Sequence, residues 1–228
     1  MERKIVFSVG EYYHIYNRGT EKRDIFSDKA DYLRFLVLLY ISNNVDVVHI
    51  SNLINQGESL MKILNINKKD SLVDIGAYCL MPNHFHLLVK EKKEKGISKF
   101  MGKLATGYSM YFNKRYNRTG ALFQGVFKST HADNDEYLKY LFAYIHLNPV
   151  KLIEPEWKES GIKNKNTASS FLNEYSYSSY FDYSENGNRP EGKIINKESF
   201  PEYFSNRKDF DDFINDWLLL STTIKDSP

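Results

Sequence analysis

The 228-residue chain has one cysteine, two tryptophans and six prolines. A single thiol excludes an internal disulfide, and the place of Cys79 inside an apolar run makes it a buried structural thiol of a reducing compartment. No apolar run reaches the roughly 18 to 20 residues that a membrane span needs. The opening MERKIVFSVG lacks the apolar core of a signal peptide, so the expected location is the cytoplasm, with no membrane partner. Neither the Rossmann nor the P-loop glycine fingerprint is present, and no internal repeat is visible. With 42% hydrophobic residues, the chain can build a substantial core as one large domain or one domain with an extension.

Charge nearly balances overall, at a net +2, but is unevenly placed. Residues 1–150 hold 21 Lys and Arg against 15 Asp and Glu, whereas residues 151–228 hold 10 against 14. Between Lys90 and Lys128 ten basic residues, among them Lys99, Lys103, Lys114, Arg115 and Arg118, are opposed only by Glu91 and Glu94. Such a block suits a polyanionic backbone, because neutralised phosphates release counterions. A solvated helix face explains it as readily. The 17 tyrosines and 15 phenylalanines offer stacking surfaces or ordinary core and decide nothing alone.

The chain is organised around residues 72–90, LVDIGAYCLMPNHFHLLVK, where two apolar runs flank Met81-Pro82-Asn83. Pro and Asn at adjacent turn positions make this a tight antiparallel hairpin of strands 73–80 and 84–90. Upstream, YYHIYN at 12–17 reads as a strand ended by Arg18-Gly19-Thr20, with His14 structural. Ser27 can cap a helix traced by Leu33, Leu36, Val37 and Tyr40 to about Ile41. Residues 43–72 read as an insertion with a short helix over 59–64. After KEKKEKG, the residues Ile97, Phe100, Met101, Leu104 and Tyr108 line one helical face, with Lys99, Lys103, Lys114 and Arg115 off it. ALFQGVFKSTH at 121–131 reads as a further strand, with Gly125 marking a bulge. Asp133 or Asn134 caps a third helix that ends at Asn148, before Pro149. This order of elements predicts an α+β fold, a ferredoxin-like antiparallel sheet with helices on one face. It occupies residues 1–152, and the polar stretch 153–228 forms a C-terminal extension with a final helix over about 207–220.

Side chains alternate along a strand, so His84 and His86 project from one face and Phe85 from the other. Two imidazoles then converge, and neutral imidazole is a common metal ligand. A solvent-facing pair is the plain alternative. On the third helix, at about 100° per residue, Leu138, Leu141, Phe142 and Ile145 form a core stripe. Tyr137, Tyr140, Tyr144 and Asn148 share an adjoining face, and the side chains of Tyr144 and Asn148 meet as i, i+4 neighbours. Were that face to meet the histidines, two imidazoles, a carboxamide and a phenol would share a site. A divalent cation held there would keep positions open for substrate oxygens. The chemistry this suits is attack on phosphorus, since a phenol with a pKa of about 10 becomes a practical nucleophile when the phosphate is polarised. Its product, a phosphotyrosine ester, conserves the energy needed to rejoin the strand. The alternatives are a tyrosine packing its ring at the core edge and an asparagine ending a helix.

Three segments together, LMPNHFHLLV, LFQGVFKS and YLFAYIHLNPVK, closely resemble the HUH-type single-tyrosine transposases, in particular those associated with repetitive extragenic palindromes. The resemblance runs from Tyr12 to about Leu152, beginning with YHIYNRG, and YSYSSY at 175–180 is a weaker late echo. It implies that His84 and His86 are metal ligands for Mg²⁺ or Mn²⁺, that Asn148 completes the site, and that Tyr144 is the nucleophile. Tyr140 and Tyr137 are the runners-up, because Tyr140 precedes Tyr144 by one turn. Single-stranded DNA, often a hairpin, is the partner the resemblance implies, cut with the 5′ phosphate held on tyrosine. Arg18, Lys99, Lys103, Lys114, Arg115, Arg118 and Lys128 are the expected DNA contacts. A monomer and a homodimer are both open.

Three functions compete on these residues. The first is a metal-dependent DNA strand transferase. A non-cleaving nucleic-acid-binding protein of the same fold would need no cation at His84 and His86. A metal-dependent phosphodiesterase would activate water and leave no protein adduct.

Overall fold

The computed structural model describes residues 6–48, 50, 52, 59–183, 189–204 and 206–219. Chain order begins with strand β1 (Tyr12–Arg18), helix α1 (Lys29–Ser42) and the short α2 (Leu60–Ile63). Strands β2 (Val73–Met81) and β3 (His84–Glu91) follow, then α3 (Gly96–Arg115), β4 (Lys128–His131) and α4 (Asp135–Leu147). All three strand pairs are antiparallel, in the spatial order β2-β3-β1-β4. That is the ferredoxin-like split arrangement expected from the sequence.

Two apolar faces on one sheet determine the layers. Phe85, Leu87 and Val89 of β3 join Tyr13 and Ile15 of β1 in a core completed by Phe35 and Leu39 of α1 and Phe100 and Leu104 of α3. On the other face Ala77, Cys79, Met81 and Leu88 pack against Leu138, Leu141, Phe142 and Ile145 of α4. Helices on one face therefore describe α1 and α3 only. Every residue of β2 is buried, and a strand apolar on both sides needs cover on both, which α4 supplies. The alternation of β2 switches at a register shift between Ile75 and Ala77. Gly76 sits there, where an added Cβ would come within 2.7 Å of the Phe200 ring.

Several local expectations change. Asp28, not Ser27, caps α1, its carboxylate accepting from the main chain of Ala30 and Asp31. Asn134 caps α4 by accepting from the Tyr137 N–H at 2.8 Å. Residues 121–127 form a loop instead of a strand, since Gly125 takes a left-handed φ of +74°, and regular pairing begins only at Lys128. The α-helical bonding of α4 stops at Leu147, and Asn148–Leu152 tighten into a 3-10 turn around Pro149. Of the expected insertion, the short helix forms with Ser59 as its cap, while residues 49, 51 and 53–58 lie outside the described residues.

The extension is folded onto the rest. It contains α5 (Trp157–Ser160), α6 (Lys165–Glu174), α7 (Tyr180–Tyr183) and α8 (Arg207–Leu219); the expected end at Leu220 lies outside the described residues. Trp157, Leu172, Tyr180, Phe210 and Leu218 close over Ala143, Leu147 and Val150, so α4 is enclosed between the sheet and the extension. Residues 177–179 cover the edge of β2, with the Leu80 N–H donating to the Tyr177 carbonyl at 3.0 Å and the Ser179 N–H to the Tyr78 carbonyl at 2.9 Å. Cys79 is buried, and burial pushes its thiol pKa up, in keeping with a structural thiol. No helix among the described residues is long and apolar enough to cross a membrane.

Trp157 is 1% exposed and joins the extension to α4. Trp157→Ala is expected to lower the unfolding free energy by about 3 to 5 kcal/mol, read from urea denaturation. A loss below about 1 kcal/mol would show that the extension is not part of the cooperative core.

Candidate active site

Antiparallel partners share a face, and the register of β1 between β3 and β4 assembles the site. Tyr16 lies opposite His86 and Arg18 opposite His84, while Lys128 of β4 pairs with Tyr16 from the other side. All five side chains line one cleft beneath α4, with Tyr144 and Asn148 across from them. The His84 and His86 ring centroids stand 5.0 Å apart with planes at 89°. Tyr144 meets His86 edge to face at 5.4 Å. Tyr140 and Tyr137 continue the stripe along α4, at 5.6 Å from Tyr144 to Tyr140 and 5.7 Å from Tyr140 to Tyr137.

Hydrogen bonds orient both imidazoles, and for His84 they fix which nitrogen it presents. The Asn83 amide donates through Nδ2 to the Lys22 carbonyl at 3.1 Å, which turns its Oδ1 to His84 Nδ1 at 2.6 Å. His84 Nδ1 must then carry the proton, leaving the lone pair on Nε2. His86 Nδ1 lies 2.9 Å from His14 Nε2. When His86 donates in that pair, its Nε2 likewise holds a lone pair. Burial, aided by the positive charges of Arg18, Lys151 and Lys158, pushes His84 down to about 3. His86 is driven well below its usual value by burial and then by His14, His84, Lys158 and Arg18. Both rings are therefore neutral near pH 7, the form that binds cations.

Asn148 is buried and donates through Nδ2 to the main-chain carbonyl of Tyr144 at 2.9 Å. The amide thus meets its neighbour's backbone, not the phenol, because the last carbonyls of a helix lack intrahelical partners and accept from side chains. Its Oδ1 remains as a potential third donor to a cation. Among the described residues no group of three or more His, Cys, Asp or Glu is placed to hold a metal. Two imidazoles and one carboxamide, all neutral, fit an incompletely ligated divalent cation with positions left for substrate oxygens.

The structure brings His84, His86, Tyr144, Asn148, Arg18 and Lys128 together. It does not bring the remaining expected DNA contacts there. Lys99, Lys103, Lys114 and Arg115 belong to α3, and Arg118 follows it, on the far side of the sheet. Lys103 donates to the Asn44 carbonyl at 2.7 Å, Arg115 pairs with Asp28 at 2.5 Å and Asp31 at 3.0 Å, and Arg118 donates to Asn113 at 3.2 Å. Several cleft residues escaped the sequence reading, His14, Lys151 and Lys158 among them. His14 carried a usable signal, since alternation along β1 puts it on the face of Tyr16 and Arg18. Lys151 and Lys158 carried none. Lys158, from α5, donates to Tyr144 Oη at 3.0 Å, with its Nζ 4.2 Å from the ring centroid.

A ferredoxin-like sheet that sets a His-x-His strand against a helical tyrosine defines the HUH-type single-tyrosine class. Residues 10–148 match the family model described as "Transposase IS200 like", and the chain belongs to that family of transposases. Among solved structures the chain is similar to one described as "Structure of the REP associates tyrosine transposase bound to a REP hairpin". The identity is 13% and the TM-score 0.48, over 80% of this chain and 84% of that one. No curated protein matches the chain.

The buried imidazoles make stability depend on pH. His14 and His84 resist protonation down to about 3, whereas in the unfolded chain they take protons near their ordinary 6.5. The unfolded state binds more protons between those values, so unfolding free energy falls as pH drops through that window. The slope is at most ~1.4 kcal/mol per pH unit for each such histidine. Urea midpoints from pH 7.5 to 5, measured with chelator present, are expected to decline more steeply for the parent than for His14→Gln. Equal slopes would contradict neutral burial of His14.

Proposed function

We propose that the protein cuts and rejoins single-stranded DNA through a covalent phosphotyrosine on Tyr144, with a divalent cation held by His84, His86 and Asn148. The observation that carries this reading is the Tyr144 ring, 5.4 Å from His86, at one cleft with the Asn148 carboxamide. Mg²⁺ or Mn²⁺ bound there would supply Lewis acidity, polarising the phosphoryl oxygens against developing charge. The chain's own groups do the rest. Asn83 holds His84 with Nε2 available, His14 holds His86 so that its Nε2 is available when His86 donates in the pair, and α4 holds the phenol edge-on to His86. Tyr144 Oη forms the new bond to phosphorus, the bond from phosphorus to the 3′ oxygen breaks, and that oxygen leaves as a hydroxyl. Reversal of the same steps joins a 3′ hydroxyl to the held 5′ phosphate.

Single-stranded DNA, folded as a hairpin next to the cut, is the substrate this reading assigns. Arg18, Lys128 and Lys151 line the cleft and suit successive phosphates, while Tyr16, Tyr137 and Tyr140 offer ring surfaces to unpaired bases. Lys99, Lys103, Lys114, Arg115 and Arg118, behind the sheet, do not reach the scissile phosphate on this reading. Histidines and tyrosine come from one chain, which favours cleavage by a single subunit acting on its own. A DNA substrate also favours the cytoplasm.

The test is a labelled hairpin oligonucleotide with a single-stranded flank, incubated with Mn²⁺ or Mg²⁺ and resolved under denaturing conditions. An adduct is expected from the parent and from Tyr140→Phe, none from Tyr144→Phe, and at least ~100-fold less from His84→Ala or with chelator. Retarded mobility without an adduct, across hairpins and both metals, would overturn strand transfer in favour of binding alone. Cleavage without an adduct would point to hydrolysis.

A further inference from the structure

The family match ends at residue 148, yet the contact on the Tyr144 hydroxyl comes from residue 158. Lys158 sits in the one-turn helix α5, half-buried, next to Trp157, which is anchored at 1% exposure against Ala143, Leu147 and Val150. The same turn is fastened at both ends, by the Trp157 N–H on the Glu154 carbonyl at 3.1 Å and the Gly161 N–H on the Trp157 carbonyl at 2.9 Å. Helix α4 presents Tyr144 on one side of this contact and contributes Ala143 and Leu147 to the anchor on the other. The lysine and the tyrosine are thus held by one packed unit, and the ammonium rests at 3.0 Å from Oη and 4.2 Å from the ring centroid.

From this geometry we infer that Lys158 is a catalytic residue of the strand-transfer reaction, supplied by the extension and acting on the reacting oxygen of Tyr144. The inference rests on the tyrosine reading above. Oη first gives up its proton to solvent, and the ammonium hydrogen bond stabilises the phenolate so formed, which then donates its electron pair to phosphorus. The departing 3′ oxygen takes a proton from solvent, so protons balance between phenol and new hydroxyl. In the joining step the bond from phosphorus to Oη breaks, and the oxygen that leaves carries the electron pair directly against the same ammonium. The one lysine thus acts on the same oxygen in both directions. Arg18, Lys128 and Lys151 line the same cleft, but the Tyr144 oxygen is hydrogen-bonded by Lys158.

Two measurements test this, one with DNA and one without. In single-turnover reactions at saturating hairpin and Mn²⁺, Lys158→Met is expected to form the Tyr144 adduct about 100-fold more slowly, with Lys158→Arg recovering at least ~10-fold of that loss. Hairpin affinity, measured for both proteins in a Tyr144→Phe background, is expected to change less than about 3-fold, which separates a catalytic effect from a lost phosphate contact. The second measurement uses tetranitromethane, which nitrates the phenolate form of tyrosine. Peptide mapping is expected to show nitration of Tyr144 slowed at least ~5-fold by Lys158→Met relative to Tyr137 and Tyr140 in the same protein. An adduct rate within about 3-fold of the parent, or unchanged relative nitration of Tyr144, overturns the role of Lys158. Should the parent form no adduct, the strand-transfer reading fails with it, whereas the nitration result still reports whether Lys158 acts on the phenol.

Discussion

The contact on which everything else depends is the packing of α4 across the second face of the sheet. Leu138, Leu141, Phe142 and Ile145 seat that helix on Ala77, Cys79 and Leu88, and the seat fixes the adjoining stripe of Tyr137, Tyr140 and Tyr144 over the histidine strand. One register position makes the difference. Leu88 faces α4 as core, and two and four residues earlier on the same face stand His86 and His84, where the helix gives way to a cleft. The same strand is thus apolar where it supports the helix and polar where it opens to a ligand. A slip of one residue would exchange the imidazoles for Phe85 and Leu87.

Electrostatics in the cleft separate two tasks. The histidines are kept neutral by burial, and they are surrounded by cations that lower their proton affinity further. The site therefore carries its positive charge on Arg18, Lys128, Lys151 and Lys158, not on the imidazoles, and is suited to an anionic backbone before any cation binds. Behind the sheet the charges do different work. Asp31 is fully buried and accepts from Arg115, Tyr111 and Tyr116, so the Arg115 guanidinium is committed to holding α1 and α3 together.

The order of strands and helices was legible because hydrophobic period and turn residues agree along the first half of the chain. His84 and His86 were legible for the same reason, since alternation and a Pro-Asn turn place them without tertiary information. The helix stripe of Tyr144 and Asn148 followed from 3.6-residue geometry. Arg115 shows what was not legible: linear charge density cannot reveal that a buried carboxylate from a helix 84 residues earlier claims the guanidinium. Nor can period show that α4 takes the opposite face, which depends on β2 being apolar on both sides. Lys158 depends on the fold of a polar extension with little periodic signal, and only the anchoring of Trp157 places it.

The central claim is that Tyr144 becomes bonded to phosphorus. Its most direct test is mass spectrometry of the protein after reaction with a hairpin oligonucleotide and Mn²⁺, followed by nuclease and protease digestion. The account predicts a peptide containing Tyr144 that carries a 5′-linked nucleotide on that residue. A nucleotide on Tyr140 or Tyr137, or cleaved DNA with every tyrosine unmodified, would contradict it.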